Sequence, residues 1–414
     1  MKNNRSLLKF GAIVLLSVAL VTSCKKDTKP TDSTNYTYYI SKELKVSITK
    51  ATVSTLIGFV SVSIPGASTL QPLVVSDINV YKMIYKTTVN GQKINASGLI
   101  CVPVTPGAYP VLSFQNGTNT VNANAPSVAP SSLSYQMIEI MASMGYIVVI
   151  ADYPGFGEST QIPHPYLVKE PTVQSLVDML YAAKELVASE LPGITMKNEY
   201  YLLGYSQGGW ATLALHKALE LDYSNDFNLK GSACGAGPYN ISLLMQNMLS
   251  APSYSMPVYL GYILNAYSYY NQFTNPVSDI FKDPYATRVS TLYTGLLTSD
   301  QINSQLTTSI PGLITADFLT GYATSAKFSS IRDALNNNSI SAWNSSIPLL
   351  LIHGGSDTQV NPISTENMYF AMIQAGTSPD LINKTIIPNV GHGDGLAPAM
   401  IQAIQFLINL RSSN

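Results

Sequence analysis

Three residue types that together can cleave an acyl bond stand far apart in this 414-residue chain, each at what reads as the end of a strand. Ser206 lies in YLLGYSQGGW, with Gly204 and Gly208 two residues away on either side. Serine beside glycine often makes only a turn. Here NEYYLLGY before it is aromatic and apolar like a buried strand, and QGGWATLALHKALEL after it has helical spacing. Strand, sharp turn and helix are the context in which a strained backbone lifts a serine Oγ above a sheet. A hydroxyl becomes a useful nucleophile only when a base takes its proton, and the base needs a third group to hold its tautomer. LLLIHGGSDTQV puts Asp357 in the loop after a buried strand, and IIPNVGHGDG puts His392 in a glycine-bracketed loop between the last strand and the last helix.

The other candidates for acid and base are weaker. Asp394 stands two residues from His392 and suits a cap on the final helix. Only four histidines are present. His216 falls mid-helix, expected to pack or face solvent; His353 ends a buried strand, expected to be a hydrogen-bonded structural group; His164, in QIPHPYL, is available to line the mouth of a site. A developing oxyanion also needs donors. The backbone N–H of Gln207, at the start of the helix after Ser206, is one candidate, and the N–H of Gly117 or Thr118, in QNGT after the strand PVLSFQ, is the other. Asn-Gly there also reads as a plain turn, and the two readings are compatible.

These loops need a rigid frame, and the chain has the pattern for one. Residues 78–88 and 95–103 alternate like paired antiparallel strands around an NGQ turn. Beyond them, apolar strands (PVLSFQ, YIVVIADY, YYLLGY, LKGSACGAG, PLLLIHG, NKTIIP) alternate with helical stretches, among them SLSYQMIEIMASMGY, EPTVQSLVDMLYAAKELVASE and APAMIQAIQFLINL. Such alternation predicts an α/β fold with a mostly parallel sheet and helices on both faces. Residues 240–345 break it with helix-like runs and no clear strand. That is too long for a loop, and a helical cap over the strand ends, inserted before the acid-bearing strand, is expected.

At the N-terminus, Lys2, Arg5 and Lys9 precede an apolar run, FGAIVLLSVALV, too short for a comfortable membrane span, and then VTSC. VTSC resembles a bacterial lipobox, which implies a signal peptide over residues 1–23, lipidation of Cys24 and a polar tether over 24–36. The remainder divides into a first core part (37–239), the cap (240–345) and a second core part (346–414). A lipid-anchored protein of the cell envelope, at the bacterial outer membrane, or a secreted protein is expected, touching membrane only through its N-terminal lipid. Net charge is −1 with 11% charged residues, without the basic balance of a nucleic-acid binder. Cys101 and Cys234 lie in apolar strands and read as buried free thiols, and no metal motif is visible.

FQNGT, ADYPGFGES, GYSQGGWAT, GAGPYNIS, RDALNNNSISAW, HGGSDTQVNP and VGHGD together resemble the α/β-hydrolase superfamily, most of all its microbial secretory lipases and esterases, from about residue 80 to the C-terminus. The order Ser, Asp, His also matches that superfamily. The resemblance implies an α/β-hydrolase fold and a serine carboxylic-ester hydrolase, with Ser206 as nucleophile, Asp357 as orienting acid and His392 as base. No cofactor or metal is implied, and the substrate is a small-molecule ester, lipid or acylated glycan included. The chain departs from the family where His-Gly is usual and Asn116-Gly117 stands instead. Asp152 and Gly155 to Gly157 fall in a loop that is structural in the family. Activity falling through the range of an unperturbed imidazole, about pH 6.5, is expected of this mechanism. Two rival readings are a prolyl-oligopeptidase-like serine peptidase, for whose propeller the region before residue 78 is too short, and a catalytically silent surface binding lipoprotein. Fold alone does not decide among them.

Overall fold

The computed structural model describes residues 36–64 and 66–413. The leader, Cys24 and the tether before Tyr36 lie outside the described residues. Nine strands form one sheet among the described residues: β1 (Tyr39–Ile48), β2 (Ile78–Val89), β3 (Gln92–Pro103), β4 (Gly107–Gln115), β5 (Ile147–Ala151), β6 (Ile194–Tyr205), β7 (Leu229–Gly235), β8 (Leu349–Gly354) and β9 (Ile382–Ile387). Their order across the sheet is β1-β2-β3-β5-β4-β6-β7-β8-β9. β1, β2, β3 and β5 pair antiparallel in turn, and the six strands from β5 to β9 run parallel. The NGQ signal is a two-residue hairpin turn in which Asn90 (φ 50°) and Gly91 (φ 72°) both take positive φ, the geometry that matches strand twist.

The central strands are apolar throughout because both faces are covered. Successive residues of β6 point to opposite cores: Tyr200 and Leu202 to one, Tyr201, Leu203 and Tyr205 to the other. Ile147, Val149 and Ala151 of β5 share the first side with α3 (Lys169–Glu190) and α4 (Gln207–Leu221), whereas Val148 and Ile150 share the second with α1 (Lys50–Ser61) and the final helix, His392–Ser413. The expected mostly parallel sheet with helices on both faces is therefore present. At roughly 25 cal/mol per Å² of apolar surface buried, these two layers supply most of what opposes chain entropy. The first strand and helix, β1 and α1, are elements the periodicity did not single out; β1 is an edge strand with an irregular register against β2, and its charged residues hide the alternation.

Between β7 and β8 the chain is helical: α5 (Ile241–Ser250), α6 (Pro257–Tyr269) and five further α-helices up to Ser329–Asn338, with two isolated bridges, Ser253 to Ser309 and Phe281 to Ile314. Tyrosines tie this segment to loops at the strand ends. Tyr262 donates to the Asn119 carbonyl, Tyr267 to that of Leu167 and Tyr270 to that of Pro163. Among the described residues, no helix is long and apolar enough to cross a membrane, and no cluster of His, Cys, Asp or Glu could hold a metal ion. Cys101 and Cys234 are buried free thiols.

One buried group is costly. Glu139, the last residue of α2 (Leu133–Glu139), is fully buried, with neither carboxylate oxygen hydrogen-bonded. Burial pushes its carboxyl up to about 8. The fold accepts the protonated form, so the stability tied to that proton is complete below the ordinary value of 4.5 and is lost as pH rises through 8. Glu139→Gln, neutral at every pH, should match the wild type near pH 4.5 and exceed it by on the order of 3 kcal/mol or more at pH 8 to 9. Urea unfolding at both pH values measures this; a gap independent of pH would contradict it.

Candidate active site

β6 ends at Tyr205, and α4 starts at Gln207. Ser206 between them has φ 60° and ψ −123°, a conformation that costs a residue with a Cβ of the order of 1–3 kcal/mol. The bend holds because the neighbouring backbones are very close. A methyl on Gly204 would run into the Gly208 carbonyl and Thr212 Oγ1, and one on Gly208 would overlap the Gln115 carbonyl oxygen. The Ser206 N–H donates to the Gly235 carbonyl at 2.8 Å, which ties the bend to β7. Its hydroxyl is left half-buried at the parallel strand ends.

The structure brings the three separated residues together. Ser206 Oγ is 2.8 Å from His392 Nε2, and His392 Nδ1 is 2.6 Å from Asp357 Oδ2. His392 is not in a loop as expected: it is the first residue of the last helix, because the chain turns helical directly after Val390 and Gly391. Tyr205 donates its hydroxyl to the His392 carbonyl at 2.7 Å and stands beside its ring. Asp394 sits exposed in the first turn of that helix rather than capping it.

Asp357 is the buried end of this series. Its Oδ1 accepts the N–H groups of Gln359 (2.8 Å) and Val360 (2.9 Å), and its Oδ2 accepts from two imidazoles, His392 and, at 3.1 Å, His353. Burial alone would raise this carboxyl; the hydrogen bonds from His353 and His392 and the charge of His392 outweigh that and hold it well below the usual carboxylate range. The carboxylate therefore stays ionised at neutral and mildly acidic pH, as an orienting acid requires.

On the other side of Ser206 the Asn116-Gly117 loop passes so near that a Cβ on Gly117 would touch the Tyr205 carbonyl and the Ser206 Cβ. Asn116 is buried and braced: its Nδ2 reaches the Ala151 carbonyl at 3.3 Å, and Tyr153 donates to the Asn116 carbonyl at 3.2 Å. Thr118 Oγ1 is 3.0 Å from the Tyr166 hydroxyl. The Gln207 N–H is at the first helical position, with no carbonyl one turn behind it. Its side chain donates Nε2–H to His164 Nε2 at 2.7 Å, since His164 Nδ1 must give its own proton to the Pro154 carbonyl at 3.0 Å. Burial pushes the His164 imidazole down to about 4, so it is neutral at working pH. His164 is buried and braces Gln207, and with Tyr262 and Tyr293 it also lines a pocket of about 230 Å³.

Two further expectations resolve in the same way. His216 is buried, bonded to Ser345 Oγ at 3.2 Å and 3.4 Å from Glu220, and belongs to the packing of α4. Asp152 is buried and accepts from Ser97 and from the backbone and hydroxyl of Ser127, which anchors the loop containing Gly155 to Gly157.

The model of the secretory lipase family matches residues 126–391, more than half of the chain; it spans Ser206 and Asp357 and stops one residue short of His392. No curated protein matches in sequence. Solved structures do. A protein of Legionella pneumophila described as a hydrolase is 24% identical with a TM-score of 0.80, covering 90% of this chain and 98% of its own. The rice cell wall degrading esterase LipA from Xanthomonas oryzae is 21% identical with a TM-score of 0.75, covering 90% and 97%. Candida antarctica lipase A in its closed state is 14% identical with a TM-score of 0.66, covering 91% and 82%. At these identities the likeness is one of fold, the α/β-hydrolase fold.

Proposed function

The chain belongs to the secretory lipase family and is a serine carboxylic-ester hydrolase, and from that premise we propose that Ser206, His392 and Asp357 carry the reaction. The observation that supports this reading is the unbroken line of hydrogen bonds from Ser206 Oγ through both nitrogens of His392 to Asp357 Oδ2. Asp357 holds the proton of neutral His392 on Nδ1, leaving Nε2 as the acceptor for the serine hydroxyl. Ser206 Oγ attacks the ester carbonyl carbon as its proton passes to His392 Nε2. The carbonyl oxygen takes the negative charge and is met by the N–H of Gln207 and that of Gly117 or Thr118, donors fixed before the reaction starts. Collapse of the tetrahedral intermediate breaks the carbon–alkoxy bond, and His392 returns the proton to the departing alcohol. A water then attacks the acyl-serine by the same route, releasing the acid and restoring the hydroxyl.

The helical segment over 240–345 is the cap in this reading. Its buried and half-buried tyrosines reach the loops on both sides of the site: Tyr262 the Asn119 carbonyl, Tyr259 and Tyr254 the Gln359 side chain and carbonyl. The cap therefore sets which small-molecule ester fits, lipid or acylated glycan included. The Xanthomonas neighbour is described as a rice cell wall degrading esterase and the Candida neighbour as a lipase, which supports an ester substrate for this chain. Membership in a secretory family supports export, and the lipobox-like VTSC supports anchoring through a lipid on Cys24. The peptidase and silent-binder readings have no comparable support.

Aryl esters from two to sixteen acyl carbons should be hydrolysed by the wild type, with a single optimum length, and Ser206→Ala should lose on the order of 10³-fold or more in kcat while remaining folded. Undiminished hydrolysis by Ser206→Ala would remove Ser206 from the mechanism. For the anchor, growth with an alkyne fatty acid should label the wild type and not Cys24→Ala; equal labelling of the two would place the lipid elsewhere.

A further inference from the structure

We propose that His353, a second imidazole on the far side of Asp357, is a positioning residue for the reaction: it fixes the orientation of the Asp357 carboxylate and limits how strongly that carboxylate attracts the proton on His392. The inference rests on the triad reading above.

The ordinary account of a fully buried histidine is a satisfied core side chain, and His353, at the end of β8, is fully buried. Its hydrogen bonds carry the argument further. His353 Nε2 is 2.8 Å from the Val360 carbonyl oxygen, which can only accept, so Nε2 bears the hydrogen. The same Nε2 is 3.1 Å from Asp357 Oδ2, the oxygen that also accepts from His392. Nδ1 is then free to accept from the Thr365 hydroxyl at 2.8 Å, and Thr365 is itself fully buried. The Val360 carbonyl and Asp357 thus set the tautomer of His353, and Thr365 holds the opposite edge of its ring.

These contacts close a ring. Val360 donates its N–H to Asp357 Oδ1 and accepts at its carbonyl from His353, whose N–H also reaches Asp357 Oδ2. A carboxylate held on both oxygens cannot swing about its Cβ–Cγ bond, so Oδ2 stays aimed at His392. Charge follows geometry. Two donors on one oxygen share its negative charge, and removing one leaves more for the other. Without His353, the ion pair between Asp357 and protonated His392 becomes stronger, and His392 gives up its proton less readily. His353 is fully buried behind Asp357 and does not face the open side of Ser206, so substrate binding should not change.

The test is the pH profile of kcat/KM and the plateau kcat for a short aryl ester, in His353→Phe, His353→Gln, Thr365→Val and Asp357→Asn. His353→Phe keeps a planar ring and lacks the donor; it should lower kcat about 10-fold or more at unchanged KM and move the acidic limb upward by roughly 0.5 pH unit or more. His353→Gln, which keeps an N–H near Nε2, should return both toward the wild type. Thr365→Val removes the hydrogen bond that holds the other edge of the His353 ring and should shift the limb in the same direction by less, and it decides the matter if His353→Phe does not fold. In the Asp357→Asn background, His353→Phe should cost little more, because both act through one carboxylate. A folded His353→Phe or, failing that, Thr365→Val with wild-type kcat and limb overturns the proposal. Wild-type activity in Asp357→Asn would instead overturn the triad reading itself.

Discussion

Much of this molecule depends on the close approach of the elbow helix α4 to the strand ends. Ser206 can hold φ 60° only while β6, β4 and β7 surround it, and they can do so only because Gly204 and Gly208 present no side chain to the Gln115 carbonyl and to the helix. The sheet is therefore more than a scaffold: its packing keeps one residue in a conformation it would not otherwise take. The same compression sets the start of α4 beside Ser206, where unsatisfied N–H groups favour negative charge.

The second organising feature is the Asp357 carboxylate, removed from water yet ionised. It receives two backbone N–H groups and two imidazoles, so each of its oxygens is committed. Gln359, whose N–H is one of those donors, also meets Tyr254 and Tyr259 of the inserted helical segment. Acid loop and insertion are thereby joined by a few atoms. The aromatic stack of Tyr166, Tyr262 and Tyr293 makes a corresponding join on the opposite side, next to Thr118. Fixed geometry on both sides of Ser206 means that little reorganisation is needed when charge develops.

Much of this was legible in the sequence because its signals are local. Glycines two residues on either side of Ser206, an apolar strand before Asp357 and one before His392 each declare a strand end, and chain order supplies the superfamily. Other features are tertiary and left weaker traces. β1 has charged residues on an exposed face and an irregular register, so its alternation is faint. The brace on Asn116 comes from Tyr153 and Ala151, more than thirty residues away. His164 looked like a mouth residue, and only the fold turns it onto Gln207. The contact of His353 with Asp357 did have a trace, since HGGSD sets them four apart across a tight turn, although strand-end histidines ordinarily suggest no more than packing.

The central claim is that the strained bend exists to make one serine reactive, and covalent capture tests it most directly. An aryl phosphonate, which phosphonylates activated serines, should inactivate the enzyme with one adduct per chain, located by peptide mass spectrometry at Ser206, and label neither Ser206→Ala nor the unfolded protein. An adduct on another residue, or no adduct at all in folded wild-type protein, would contradict the account.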